Sequence, residues 1–178
     1  MVTHSRRTFL GRVFATVPFL AAPRSLFAAS ASARALRFAH THTGESLTVE
    51  YFSSGAYLPD ALATVNHFLR DFRTGDVHDI DPELLDLLHR LTTMTETTGP
   101  FQVISGYRSP ATNEMLRHRS EGVAAGSLHM QGQAIDIRLP DVALSNLRLA
   151  ALNARRGGVG YYPASDFVHV DTGRVRAW

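Results

Sequence analysis

Apolar residues recur along the chain at two spacings, and these spacings predict strands and helices. Two apolar-rich runs, over 36–40 and 46–52, predict a β-hairpin, with Gly44 in the turn between the two strands. Apolar residues then recur every three or four positions up to Phe72, which predicts a helix that begins at Pro59. Proline is favoured at the first helical position, which supports this start.

A second helix is predicted after Asp81, which is suited to an N-cap, and it ends before Gly99. The remaining predicted elements are a strand over 101–105, a helix over 110–118, a loop over 122–132, a strand over 133–139, a helix over 142–155, and strands over 157–162 and 167–172. Helices come early in the chain and antiparallel strands come late. The predicted fold class is therefore α+β, with helices packed on one face of a small, largely antiparallel sheet.

The strand over 133–139 separates polar from apolar residues. Asp136 lies between Ile135 and Ile137, so its side chain is on the opposite face of the sheet from the two isoleucines. Burying an aspartate is costly unless the carboxylate is paired or binds a cation. On spacing alone, a solvated aspartate on an exposed sheet face is an equally good interpretation.

Two histidines could converge with this aspartate to form a metal site. If its strand and the last one, 167–172, are neighbours with their valines and isoleucines in the core, His169 faces the same way as Asp136. His129 ends the preceding loop, and Gly132 lets the chain turn so that this imidazole can join them. Two imidazoles and one carboxylate, with a fourth position left for water, form the ligand set of a catalytic zinc ion.

The lack of cysteine restricts which metal ligands are possible, and the other histidines have a simpler interpretation. The sequence contains no cysteine, which excludes disulfides and thiolate ligands, so a metal site must use nitrogen and oxygen. For a single histidine, a structural role is the simpler interpretation. We give that interpretation to His40, His42, His67, His78, His89 and His118.

The first 31 residues have the three parts of an export signal. A pair of arginines, Arg6 and Arg7, precedes an apolar stretch over 13–22 and a run of small residues over 28–33. The pair favours the twin-arginine route, with a cut between about residues 28 and 33. The apolar stretch is shorter than the roughly 20 residues that span a bilayer, so no transmembrane helix is expected to remain. The rest of the chain, 32–178, is predicted to be a single domain.

Removal of this signal reverses the sign of the net charge. The whole chain has 18 basic and 16 acidic residues, and its pI is about 9.4. Residues 1–31 contain four of the basic residues and no acidic one, which leaves 14 against 16, or a net charge of −2. The high pI is therefore no sign of a nucleic-acid partner.

Two motifs resemble those of the zinc peptidases of the D-alanyl-D-alanine type. The first is Ser-x-His-x-x-Gly-x-Ala-x-Asp at 127–136, and the second is His-Val-Asp at 169–171. The chain as a whole resembles the murein endopeptidase K branch of these enzymes. The runs that carry this wider resemblance are 42–45, 66–71, 104–109, 157–163 and 167–173, together with the twin-arginine leader.

The resemblance implies a periplasmic hydrolase of peptidoglycan cross-link peptides, with one zinc ion per chain bound by His129, Asp136 and His169. It also implies that Arg108 contacts the substrate near the scissile bond, where its planar guanidinium suits a carboxylate or an oxyanion. Ser127, which opens the first motif, is a second candidate for substrate binding.

The reaction also needs a carboxylate that takes a proton from the zinc-activated water and passes it to the leaving amine. Asp166 lies three positions before His169, where related peptidases that cut D-alanyl-D-alanine have an acidic residue. Asp171 shares the strand face of His169 at about 7 Å, a distance that suits a supporting role beside the metal. We predict that one of these two aspartates is the proton carrier and favour Asp166.

Three other functions fit the same residues. A D,D-carboxypeptidase or dipeptidase would use the same chemistry to trim the ends of stem peptides. A non-catalytic peptidoglycan-binding module would keep the metal without turnover, and a structural or partner-binding domain would have no metal. The sequence leaves open which cross-link is cut, between two diaminopimelates or between D-alanine and diaminopimelate, and it leaves open the oligomeric state.

Overall fold

The computed structural model describes residues 1, 32–119 and 123–178. The predicted export signal and most of its predicted cleavage region lie outside the described residues. Within the described residues, none of the helices is both long enough and apolar enough to cross a membrane.

Eight strands of the described chain form one sheet. They are β1 (Arg34–His40), β2 (Ser46–Ser53), β3 (Ala56–Tyr57), β4 (Phe101–Ser105), β5 (Ala134–Arg138), β6 (Gly158–Tyr162), β7 (Phe167–Asp171) and β8 (Arg176–Ala177). Their order across the sheet is β3-β2-β1-β4-β5-β7-β6-β8. Neighbours are antiparallel except for β1 with β4 and β6 with β8, two parallel pairings that the sequence did not predict. The predicted hairpin β1–β2 is confirmed, with Gly44 at a φ of +73° in its turn.

Helices supply the other half of the core. The described residues form α1 (Pro59–Phe68), α2 (Pro82–Thr95), α3 (Pro110–Arg119) and α4 (Leu144–Ala154), with short 3-10 helices at Leu128–Gln131 and Pro163–Ser165. The predicted N-cap of α2 is confirmed, because Asp81 Oδ1 accepts a hydrogen bond from the Glu83 amide at 2.9 Å. Helix α2 packs against α4 and β1. Its buried residues are Leu84, Leu85, Leu87, Leu88 and Leu91. The predicted α+β class is confirmed.

The predicted first helix is too long. Helix α1 ends at Phe68, and Phe72 lies outside it. Leu69 is fully buried, and its carbonyl accepts a hydrogen bond from the Tyr107 amide at 2.8 Å instead of one from the next helical turn. A contact with a distant loop therefore ends the helix while the apolar spacing continues.

The adjacent interior strands β5 and β7 have one apolar and one polar face, as predicted. Ile135, Ile137, Val168 and Val170 are all fully buried in the core. Asp136 is paired directly with His169 across the two strands, so both side chains are on the other face. The sheet thus places polar side chains side by side, backed by a packed core.

Candidate metal centre

Three buried side chains converge on the polar face of β5 and β7. Asp136 and His169 come from the paired strands, and His129 comes from the 3-10 helix just before β5. His169 Nδ1 lies 2.9 Å from Asp136 Oδ1 and 3.2 Å from His129 Nε2. His129 Nε2 lies 3.3 Å from the same Asp136 oxygen. With ligand atoms this close, the three residues could hold a metal ion.

The position of His129 is fixed by the turn that follows it. Gly132 has a φ of +67°, a left-handed conformation that favours glycine, and a side chain there would collide with the carbonyl of Asp79. The imidazole of His129 is fixed as well, because its Nδ1 lies 2.8 Å from the carbonyl oxygen of Gly106. A carbonyl only accepts hydrogen bonds, so Nδ1 carries the proton and Nε2 has a free lone pair.

Asp171 fixes the imidazole of His169 in the same way. Its Oδ2 lies 3.1 Å from His169 Nε2, which holds a ring proton on Nε2 and turns Nδ1, the nitrogen that a metal would bind, toward Asp136. Asp171 is fully buried and is held by other donors. These are the amides of Gly158 at 2.8 Å and Gly173 at 2.9 Å, and the guanidinium of Arg176 at 2.7 and 3.1 Å.

The electrostatics of this cluster favour a cation at its centre. Burial by itself would lower the pKa of His169, but hydrogen bonds to Asp136 and Asp171 raise it to about 9. Burial by itself would raise the pKa of Asp136, yet His129 and His169 hold it well below its ordinary value. A metal ion that bound here would displace the proton from Nδ1 of His169.

The Gly-Tyr-Arg run of the sequence also reaches this centre. Arg108 Nη2 lies 3.7 Å from Asp136 Oδ2, and the Arg108 amide donates to the carbonyl of His129 at 3.1 Å. The buried carboxylate of Asp71 accepts a hydrogen bond from the Ser109 amide at 2.9 Å, which fixes the next residue of the loop. The Arg108 side chain is 11% exposed, and its Nε has no hydrogen-bond partner within the described residues.

The cluster opens into a cavity of about 500 Å³. Its other lining residues include Arg108, Ser127, Tyr162, Phe167, Arg176 and Trp178. Sequence reasoning predicted the first two and missed the aromatic residues and Arg176. Arg176 belongs to a strand of two residues, and Trp178 directly follows that strand. A strand this short shows no alternation in the sequence, so the approach of both residues to the metal centre depends on tertiary structure.

Neither predicted proton carrier lines this cavity. Asp171 is enclosed by its five hydrogen bonds, as described above. Asp166 has a φ of +53° in the turn before β7, and its carboxylate accepts a hydrogen bond from Arg138 at 2.8 Å. The Asp166 side chain is 62% exposed and, with Arg138 and Gln102, lines a separate cavity.

Comparison with known proteins identifies the family. A family model described as peptidoglycan L,D-endopeptidase MepK matches residues 28–178. The peptidoglycan L,D-endopeptidase MepK of Escherichia coli K12 is 47% identical over 169 residues, which cover 95% of this chain and 93% of that protein. The probable peptidoglycan L,D-endopeptidase MepK of Haemophilus influenzae is 42% identical over 146 residues, or 82% of this chain and 78% of that protein. The chain therefore belongs to the MepK family, the murein endopeptidase K branch of the M15 metallopeptidases.

Proposed function

We propose that this protein is a zinc-dependent L,D-endopeptidase that hydrolyses peptide cross-links of peptidoglycan, with one zinc ion bound by His129, Asp136 and His169. The observation that carries the proposal is the pair of fixed tautomers described above. Gly106 and Asp171 accept from the outer ring nitrogens, so both inner nitrogens and a carboxylate oxygen face one point, which a proton on His169 Nδ1 occupies until a metal ion replaces it. Three acceptors this close repel one another unless a cation lies between them.

The distances between the three donor atoms fit zinc. Zinc–nitrogen bonds of 2.0–2.1 Å in a tetrahedron separate neighbouring ligand atoms by about 3.3 Å. The observed separations are 2.9, 3.2 and 3.3 Å, and the set of two nitrogens and one oxygen is that of many catalytic zinc sites. When bound, zinc acidifies a water molecule and polarises a carbonyl.

We assign substrate binding to Arg108 and Ser127. The guanidinium of Arg108 is charged and largely desolvated at the cavity wall, with one N–H that has no partner in the part of the chain that the structure describes. A planar fork in that position binds a substrate carboxylate or the oxyanion that develops at the scissile carbonyl. Ser127 lines the same cavity and has a hydroxyl group suited to a peptide.

For the proton carrier we propose Asp166 and give Asp171 a positioning role. Both oxygens of Asp171 are occupied and buried, so it acts through His169 by fixing the imidazole. Asp166 forms an ion pair with Arg138, and its side chain is 62% exposed. Its carboxylate would leave Arg138 to take the proton of the attacking water and give it to the leaving amine.

The names of the relatives favour one of the two possible cross-links. An L,D-endopeptidase cuts between an L-centre and a D-centre, which describes the bond between two diaminopimelates. The bond between D-alanine and diaminopimelate joins two D-centres. We therefore propose the diaminopimelate–diaminopimelate cross-link as the substrate, and trimming of terminal D-alanine, the carboxypeptidase function, as the alternative that the experiment must exclude.

We further propose that the protein acts in the periplasm after export by the twin-arginine route, as a single domain over 32–178. The sequence of the leader and the location of peptidoglycan support this proposal. Twin-arginine substrates cross the membrane folded, and a domain without cysteine needs no oxidative folding outside.

Digestion of purified sacculi tests the function. We expect the zinc-loaded protein to remove diaminopimelate-linked dimers, and a chelator to abolish the activity until zinc is restored. His129→Ala should bind less than a tenth of the zinc and be inactive, whereas His118→Ala, a change at an exposed histidine, should match the wild type. Equal zinc in both variants, or loss of terminal D-alanine without loss of dimers, would refute the proposal.

A further inference from the structure

The indole of Trp178 lies beside the metal centre, and the function proposed above assigns it no role. The centroid of its ring is 5.3 Å from that of His169, and the residue lines the same cavity. Trp178 is nevertheless 49% exposed. A large apolar ring that is half exposed next to a ligand position is a candidate contact for whatever enters the cavity.

Several contacts hold this ring in place. Trp178 Nε1–H donates a hydrogen bond to the hydroxyl of Tyr162 at 2.7 Å. The backbone is paired as well, since the Trp178 amide donates to Val159 at 3.2 Å and its carbonyl accepts from Tyr161 at 3.1 Å. The guanidinium carbon of Arg176 lies 4.8 Å from the ring centroid. The indole is therefore preorganised and would lose little entropy when a ligand packs on it.

The neighbouring strand makes room for the ring. Gly160 on β6 is paired with His169, and a Cβ atom built there would lie 2.8 Å from Trp178 Cε2 and 2.8 Å from Tyr162 Cε2. The glycine lets the indole approach the backbone of β6 closely. One part of the ring thus packs on the sheet, and the exposed part faces the cavity.

We propose that Trp178 determines substrate specificity by packing its indole against the peptide residue next to the scissile bond. The inference rests on the proposed function, because the scissile bond must lie at the metal centre. One residue of extended peptide spans about 3.3–3.6 Å, so a ring beside His169 reaches only the one or two residues on either side of that bond. The sugars are about three residues, or 10 Å, further away, so the contact is made by aliphatic groups of the peptide.

Fluorescence tests the contact directly, because Trp178 is the sole tryptophan of the chain. Two probes would be titrated into the zinc-loaded protein: the uncross-linked stem tetrapeptide, which is a product, and the disaccharide without peptide. We expect a saturable change in emission with the tetrapeptide and none with the disaccharide. A saturable change with the disaccharide alone, or no change at tetrapeptide concentrations that inhibit hydrolysis, would overturn the proposal.

Kinetics distinguish a substrate contact from a structural role. We expect Trp178→Ala to raise KM for a cross-linked dimer about tenfold and Trp178→Phe about threefold, with kcat and zinc affinity within threefold of wild type. Val175→Ala, at a 66% exposed residue of the same segment, is the control and should leave KM unchanged. A fall in kcat and zinc affinity at unchanged KM would mean that Trp178 only supports His169. If the wild type itself fails to cut the dimer, the proposed function fails instead.

Discussion

Replacement of Asp171 by asparagine tests whether the metal centre depends on the hydrogen bond behind His169. The substitution keeps the shape of the side chain and replaces one oxygen by an NH₂ group. If the amide oxygen stays with the Gly158 and Gly173 amides, the NH₂ group faces Arg176 and the ring proton of His169. Donors then face donors at two contacts, of 2.7 and 3.1 Å, where the carboxylate accepted hydrogen bonds.

The structure gives the size of the effect. A charge-assisted hydrogen bond contributes about 1.5–3 kcal/mol, so the loss of two lowers the free energy of unfolding by about 3–6 kcal/mol. His169 can avoid the clash only by losing the Nε2 proton and keeping a proton on Nδ1, the atom that faces Asp136 and His129. That tautomer has its lone pair on Nε2 and none on Nδ1, where the metal would bind, so we expect zinc affinity to fall about 10- to 100-fold.

Zinc affinity is measured by competition with a chromogenic chelator, and stability by chemical denaturation with zinc present and absent. Asp86→Asn is the matched control. Asp86 on α2 also forms an ion pair, with Arg34 at 2.6 Å, and it accepts hydrogen bonds from Tyr51 and Tyr57. We expect this control to lose stability and to keep its zinc affinity. If Asp171→Asn binds zinc within threefold of wild type, the tautomer argument is wrong.

Three further predictions concern the cavity and the core. Arg108→Lys should lower kcat/KM for a cross-linked dimer at least tenfold at unchanged zinc content, because an ammonium group cannot replace the planar fork; equal kcat/KM would contradict this. Asp166→Asn should lower kcat about 100-fold or more with zinc retained, and an unchanged kcat would remove Asp166 as proton carrier. Burial lowers the pKa of His40 to about 4 from 6.5, so its folded form resists protonation and stability falls by about 3 kcal/mol as pH falls from 6.5 to 4. His40→Asn should flatten the pH dependence of the unfolding free energy in that window, and an unchanged pH dependence would contradict this.

The alternation of side chains between the two faces of a strand explains why much of the metal centre could be predicted from sequence. Asp136 and His169 each lie between apolar residues on strands with one buried face, so their common direction follows once the strands are neighbours. The approach of His129 depends on Gly132, a residue type that itself marks the turn.

Contacts between distant segments set the limit of that reasoning. Helix α1 ends where the apolar spacing continues, because the Tyr107 amide donates a hydrogen bond to the Leu69 carbonyl. A hydrogen bond from Arg138 holds the carboxylate of Asp166 outside the cavity. The two residues are 28 positions apart in the sequence, and nothing in the local pattern indicates that they pair. The same holds for Arg176, whose strand is only two residues long.

That short strand has a consequence for heat inactivation. Among residues 32–119 and 123–178, strand β8 pairs only with β6 and contributes no residue to the buried core, so its opening costs far less free energy than global unfolding. The same opening removes Arg176 from Asp171 and releases the wall formed by Trp178. Amide hydrogen exchange should therefore be faster in β8 than in β5 or β7. Activity should disappear on heating below the main calorimetric transition, because this edge strand should open, and disrupt the metal centre, before the rest of the fold unfolds.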